Sequence, residues 1–133
     1  MNLDHNVPIY GDTTNRDKKC PKESAEQVTF FNKIRREYPD SWGKIATHIR
    51  NEGKKSVQQV RREKAEGMIK GASDIIIGGF YCELKRVNHM LCKVSDEQIE
   101  YLDTINELGY FGCIALGYEA AYEAFQEYLN AST

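Results

Sequence analysis

Gln27, Phe31, Ile34 and Tyr38 follow one another at three- and four-residue steps with Phe30 alongside, a spacing that predicts a helix over about residues 23–38. Pro39 and Asp40 end it. Glu23, four residues before Gln27, shares the edge of the inward stripe, whereas Glu26 is expected to point further towards solvent. Residues Ile45 to Ile49 alternate weakly and predict a strand, closed by the turn-like triplet Asn51-Glu52-Gly53. Apolar positions are sparse over 54–70, part of which is expected to be helical. Two β-type runs follow, Ser73-Asp74-Ile75-Ile76-Ile77 and Phe80-Tyr81-Cys82-Glu83-Leu84-Lys85. Gly78-Gly79 joins them, and a two-residue glycine link suits the positive φ of a tight hairpin turn. A helix from about Ser95 to Leu108 opens on the capped start Ser95-Asp96-Glu97-Gln98 and stops at Gly109. Tyr110 to Leu116 reads as a strand, and 118–130 as a last amphipathic helix carrying Tyr122, Phe125 and Leu129. The order helix, strand, basic segment, hairpin, helix, strand, helix predicts an α/β layer arrangement with a mixed sheet.

A chain of 133 residues suffices for one domain with a core and is too short for two. The polar segment 1–22, with Pro8, Gly11, Pro21 and the run Arg16-Asp17-Lys18-Lys19, reads as an extended or mobile arm ahead of a domain at 23–133. No apolar run approaches the ~20 residues of a membrane span. Met1-Asn2-Leu3-Asp4-His5 lacks the basic and apolar regions of a secretory signal, so a cytoplasmic protein is expected. Cys20, Cys82, Cys92 and Cys113 are separated by 61, 9 and 20 residues, which is not a zinc-site spacing, and they read as reduced thiols. His5, His48 and His89 likewise lack ligand spacing and read as structural or exposed.

Charge changes the picture more than composition does. The net charge of −2 conceals a split: residues 1–93 carry all 18 Lys and Arg and a charge of +6, while the remainder carries eight acids and no Lys or Arg. A positive part of this kind can attract a polyanion, or it can simply solvate its own surface.

The hairpin carries the candidate chemistry. A two-residue turn at Gly78-Gly79 pairs Ile77 with Phe80, Ile76 with Tyr81, Ile75 with Cys82, and Asp74 with Glu83. Opposed residues share a face, and the period of two adds Lys85 to it. Facing carboxylates repel one another unless something compensates them. Mg²⁺ would do so, since it is held by one or two carboxylates plus waters and can activate water and stabilise a leaving oxygen. A neighbouring lysine can orient the water or offset transition-state charge. The same residues would also serve as surface groups neutralised by Lys85 and Arg86, and a register slip of one residue would separate the pair.

Asp74 followed on the next strand by Glu83-Leu84-Lys85 resembles the PD-(D/E)XK nuclease signature. The early Glu23 helix, Asn51-Glu52-Gly53, Gly67 with Lys70-Gly71-Ala72-Ser73-Asp74, Arg86, Ser95-Asp96-Glu97-Gln98 and Leu108-Gly109-Tyr110 narrow the resemblance to the VRR-NUC branch, often found as short stand-alone phage proteins. It spans roughly residues 23–130, with Ser73 standing where the family often has proline. The resemblance implies a restriction-endonuclease-like fold, a mixed β-sheet flanked by helices, and a Mg²⁺- or Mn²⁺-dependent DNA-cleaving site. Asp74 and Glu83 would be metal ligands with the backbone carbonyl of Leu84. Lys85 would be the catalytic lysine, and Gln98 the glutamine on the helix after the hairpin. Glu23 best matches the first-helix acid, with Glu26 as the competing assignment.

Gln98 also reads as a helix cap, and Glu23 as an ordinary first-turn acid. Lys54, Lys55, Arg61, Arg62, Lys70 and Arg86 are candidate phosphate contacts. The expected function is a structure-specific DNA endonuclease acting on branched, flapped or junction DNA. A catalytically silent DNA- or partner-binding module and an RNA-directed nuclease are the alternatives. Cutting two equivalent strands would suit a homodimer.

Overall fold

The computed structural model describes residues 1–49 and 55–131. At its centre is the hairpin. β3 (Ile75–Ile77) and β4 (Phe80–Lys85) pair antiparallel as Ile75↔Cys82, Ile76↔Tyr81 and Ile77↔Phe80, the register expected from the glycine link. Gly78 sits at φ +59°, where a side chain would be strained and would also meet the ring of Trp42. β5 (Phe111–Leu116) runs parallel to β4 over six residue pairs, from Phe80↔Phe111 to Lys85↔Leu116. α4 (Asp96–Glu107) makes the crossover that a parallel pair requires.

Edge strands β2 (Thr47–His48), against β3, and β1 (Ile9–Tyr10), parallel to β5, complete a five-stranded sheet in the order β1-β5-β4-β3-β2. One face carries α1 (Glu23–Glu37) and α5 (Tyr118–Ala131). There Phe30, Ile34 and Phe125 close over Ile75, Ile77, Phe80, Cys82, Leu84 and Cys113, all completely buried. Each such large apolar side chain contributes roughly 1.5–3 kcal/mol by leaving water. The other face carries α4, with Leu102 packed on Ile114 and Val7. Alternation along β4 sends Phe80, Cys82 and Leu84 to the first face and Tyr81, Glu83 and Lys85 to the second.

Two stretches differ from the sequence reading. Over 45–49 the strand is limited to Thr47–His48, because Trp42–Ile45 forms a single helical turn, α2. Trp42 drives the turn by packing edge-on against Phe125 and Tyr128, and Gly43 lets the chain approach Tyr38, whose carbonyl oxygen would lie 2.5 Å from any Cβ there. The N-terminal segment is extended, and it is anchored. β1 adds to the sheet, Val7 and Cys20 are buried, and the Arg86 guanidinium donates to the carbonyls of Cys20 and Pro21. The basic stretch folds as α3 (Val57–Ala65), opened by Ser56, whose side chain accepts the Gln59 N–H. α3 buries none of its residues. Asn51-Glu52-Gly53 and Lys54 lie outside the described residues. Among the described residues no helix is long and apolar enough to cross a membrane.

Candidate active site

Asp74 stands one residue before β3, and continuing that strand's register places it opposite Glu83. Its main chain is fixed from the other side: its carbonyl accepts the Ile49 N–H at 2.9 Å and faces His48 Nδ1 at 3.0 Å. Its side chain reaches across to β4, where Oδ2 accepts the Leu84 N–H at 3.3 Å. A strand residue directs its N–H and C=O to the same edge. The Leu84 carbonyl therefore also projects towards the β3 side, beyond the last paired residue of that strand.

Glu83 is almost completely buried, at 1% exposure, which removes the reading of a solvated surface acid. Its Oε1 accepts from Gln98 Nε2 at 2.9 Å and lies 3.3 Å from Lys85 Nζ. Oε2 is buried without a hydrogen-bond partner. Gln98 caps its helix and contacts Glu83 at once. Its amide oxygen accepts the Ser95 N–H at 2.9 Å, and its N–H donates to Ser95 Oγ at 3.1 Å, which closes a capping box at the start of α4. Its nitrogen is left for Glu83.

The two first-helix acids separate sharply. Glu23, in the first turn of α1, brings a carboxylate oxygen to the pair, so that ligand atoms of Glu23, Asp74 and Glu83 lie within 4.8 Å of one another. Glu26 does not face solvent as its position on the helix suggested. It is buried at 5% exposure and accepts the Tyr118 N–H at 2.6 Å. A carboxylate there satisfies a free N–H at the head of α5 and complements the helix dipole.

These neighbours set the protonation states. Burial, and then the charge of Asp74, push the Glu83 carboxyl up to about 9, with Lys85 pulling the other way. Burial also raises Asp74, opposed by its contact with Glu83, by Lys85 and by the Leu84 N–H. For Lys85, burial disfavours the charge but the acids around it, Glu83 foremost, outweigh that and raise its pKa, so the ammonium is retained. Three acids beside one ammonium can ionise together only where a further cation compensates them. The unpartnered Glu83 Oε2 and an all-oxygen donor set fit a hard divalent cation such as Mg²⁺ or Mn²⁺.

The cluster opens into a cavity of about 980 Å³. Glu23, Asp74, Glu83, Lys85 and Gln98 line it together with Lys55, Val60, Lys64 and Lys70, on and around α3. Of the expected phosphate contacts, Lys55 and Lys70 thus reach the cavity, each with a carboxylate partner, Glu63 and Glu97 respectively. Arg61 and Arg62 are exposed on α3 and do not line it. Arg86 is engaged with the N-terminal segment. Lys64 and His48 were not singled out from sequence. Only the folding of α3 and the short pairing of β2 bring them to the cavity and to Asp74, and no local motif marks either residue.

The mixed sheet with helices on both faces is the restriction-endonuclease-like arrangement that the resemblance implied. A structure search finds a solved "VRR_NUC domain protein" with a TM-score of 0.69, covering 84% of this chain and 91% of that one at 18% identity. At that identity the likeness establishes the fold. No family model matches the sequence, and no curated protein is significantly similar to it.

Proposed function

We propose that this chain is a divalent-metal-dependent nuclease that hydrolyses DNA phosphodiesters. The observation that carries the proposal is the convergence of Glu23, Asp74 and Glu83 within 4.8 Å, with Lys85 Nζ 3.3 Å from Glu83. The VRR_NUC fold is consistent with it. Asp74, Glu83 and the Leu84 carbonyl would hold Mg²⁺ or Mn²⁺, with Glu23 as a further ligand. A bound ion would supply Lewis acidity at the phosphate and lower the pKa of a coordinated water.

The chain's own groups do the rest. Lys85, kept charged by its acidic neighbours, stabilises negative charge developing on the phosphate oxygens. Gln98 holds Glu83 in place, so that Oε2 faces the site. Lys55, Lys64 and Lys70 also line the cavity, where phosphates flanking the cut would lie. Branched, flapped or junction DNA of phage-type replication or repair is the proposed substrate, cut by a homodimer in the cytoplasm. Light scattering tests the assembly.

The test of activity is a panel of linear and branched DNA incubated with Mg²⁺, Mn²⁺ or EDTA, beside Asp74→Ala. Cleavage should require the ion and the aspartate. An absence of cleavage on every substrate, with DNA binding that survives Glu83→Ala, would instead mark a silent binding module.

A further inference from the structure

The face that carries the carboxylates does not end at them. Two residues before Glu83 on β4, and on the same face, stands Tyr81, opposite Ile76 on β3, which in turn is opposite Thr47 on β2. On α4, three residues after Gln98, stands Tyr101. Strand and helix thus each carry a tyrosine two or three residues from a residue of the site. Ring centroids of Tyr81 and Tyr101 are 6.3 Å apart, and those of Tyr81 and Tyr110 are 6.1 Å apart.

α4 covers β5 and the β5 side of β4, where Asn106 brackets Gly112 with two hydrogen bonds. It leaves the rest of this face open. Tyr110 is 55% exposed, Tyr81, Tyr101 and Ile76 are half-buried, and Thr47 is exposed. Three tyrosines thus lie beyond the carboxylate cluster, Tyr81 and Tyr101 seated against Val7, Leu102 and Ile114 and Tyr110 the most exposed. Two strand residues span about 6.6–6.8 Å, comparable with the distance from a phosphate to the base of an adjoining nucleotide.

We infer that Tyr81, Tyr101 and Tyr110 form a stacking platform for an unpaired nucleobase of the strand whose phosphate the carboxylates engage. This rests on the nucleic-acid reading of the neighbouring site. Stacking on an aromatic side chain needs a free base face and tolerates any base, because every base has a π-face. A base inside an intact duplex has both faces covered by its neighbours. The platform therefore favours DNA that is single-stranded or splayed beside the cut.

The test compares binding of a fluorescent oligothymidylate and an abasic oligomer of equal length and charge, by anisotropy in Ca²⁺. The wild-type chain should prefer the oligothymidylate, and Tyr81→Ala should reduce that preference roughly five- to a hundred-fold, whereas Tyr81→Phe should retain it. Equal binding of the two oligomers by the wild type, binding of neither, or an unchanged preference in Tyr81→Ala would overturn the inference. Should Tyr81→Ala fail to fold, photocrosslinking of a 5-iododeoxyuridine oligomer to the wild type decides. Adducts should fall on Tyr81, Tyr101 or Tyr110, and adducts confined elsewhere would overturn it. The two readings fail separately. Base preference without cleavage in Mg²⁺ or Mn²⁺ removes the nuclease, and cleavage without base preference removes the platform.

Discussion

Replacing Glu83 by glutamine should remove most of a pH dependence that the folded chain owes to its buried acids. The unfolded chain releases the Glu83 proton near 4.5, whereas burial and Asp74 hold it in the folded chain to about 9. Between those values the folded state binds the extra proton, so stability is greatest on the acid side and falls as pH rises. Each pH unit across the window costs up to about 1.4 kcal/mol. For a domain of this size that is about 4–6 °C in Tm. Asp74, also raised, acts in the same direction. The lowered acids Asp12, Glu63 and Glu97 contribute on the acid side of the window, and Lys85, raised from 10.5, contributes beyond it. The glutamine is uncharged throughout and keeps an oxygen for Lys85 and Gln98. Thermal melts followed by circular dichroism in EDTA from pH 5 to 9 should show wild-type Tm falling steadily and Glu83→Gln falling much less, with the remainder due to Asp74. Mn²⁺ should restore the wild type at pH 8 and leave the variant unmoved. A wild-type Tm independent of pH, or parallel curves for the two proteins, would refute the coupled buried carboxylates.

Four further outcomes follow from the same contacts. Lys85→Met, which keeps the buried stem and deletes the charge, should lower the cleavage rate by about 10²–10³ in single-turnover assays while Mn²⁺ binding persists. Glu23→Ala should weaken Mn²⁺ binding by roughly tenfold or more in calorimetry, since losing a ligand costs at least what losing its supporting contacts does. Glu26→Ala should leave that affinity unchanged but cost about 1.5–3 kcal/mol in urea unfolding, the worth of a charged hydrogen bond at the head of α5. Gln98→Ala should lose about 1–2 kcal/mol through the broken capping box and also reduce cleavage, whereas a residue that only caps its helix would give the first effect alone.

Much of the site was legible because the hairpin specifies itself. Gly78-Gly79 fixes the register, register fixes which side chains share a face, and so Asp74, Glu83 and Lys85 meet. The capping box was equally local, since Ser95 and Gln98 lie three residues apart. What escaped depends on contacts between distant segments. Glu26 looked solvent-facing by its angle on the helix. Its burial comes from α5, 92 residues further along the chain. The strand expected over 45–49 gave way to the packing of Trp42 on Phe125, which no alternation of neighbours encodes. β1 forms because β5 presents a free edge, and Arg86, a plausible phosphate contact by composition, is drawn off to tie down the segment that follows β1. Local rules brought the candidate residues to one face, and long-range packing decided which of the two first-helix acids stands with them.

The position of a bound divalent ion tests the candidate site most directly. A crystal of the full chain grown with Mn²⁺ and measured for anomalous scattering should show a peak about 2.0–2.5 Å from oxygens of Asp74 and Glu83, with the Leu84 carbonyl on the same side. Ordered density for all three acids with no peak between them, at a Mn²⁺ concentration that supports cleavage, would contradict it.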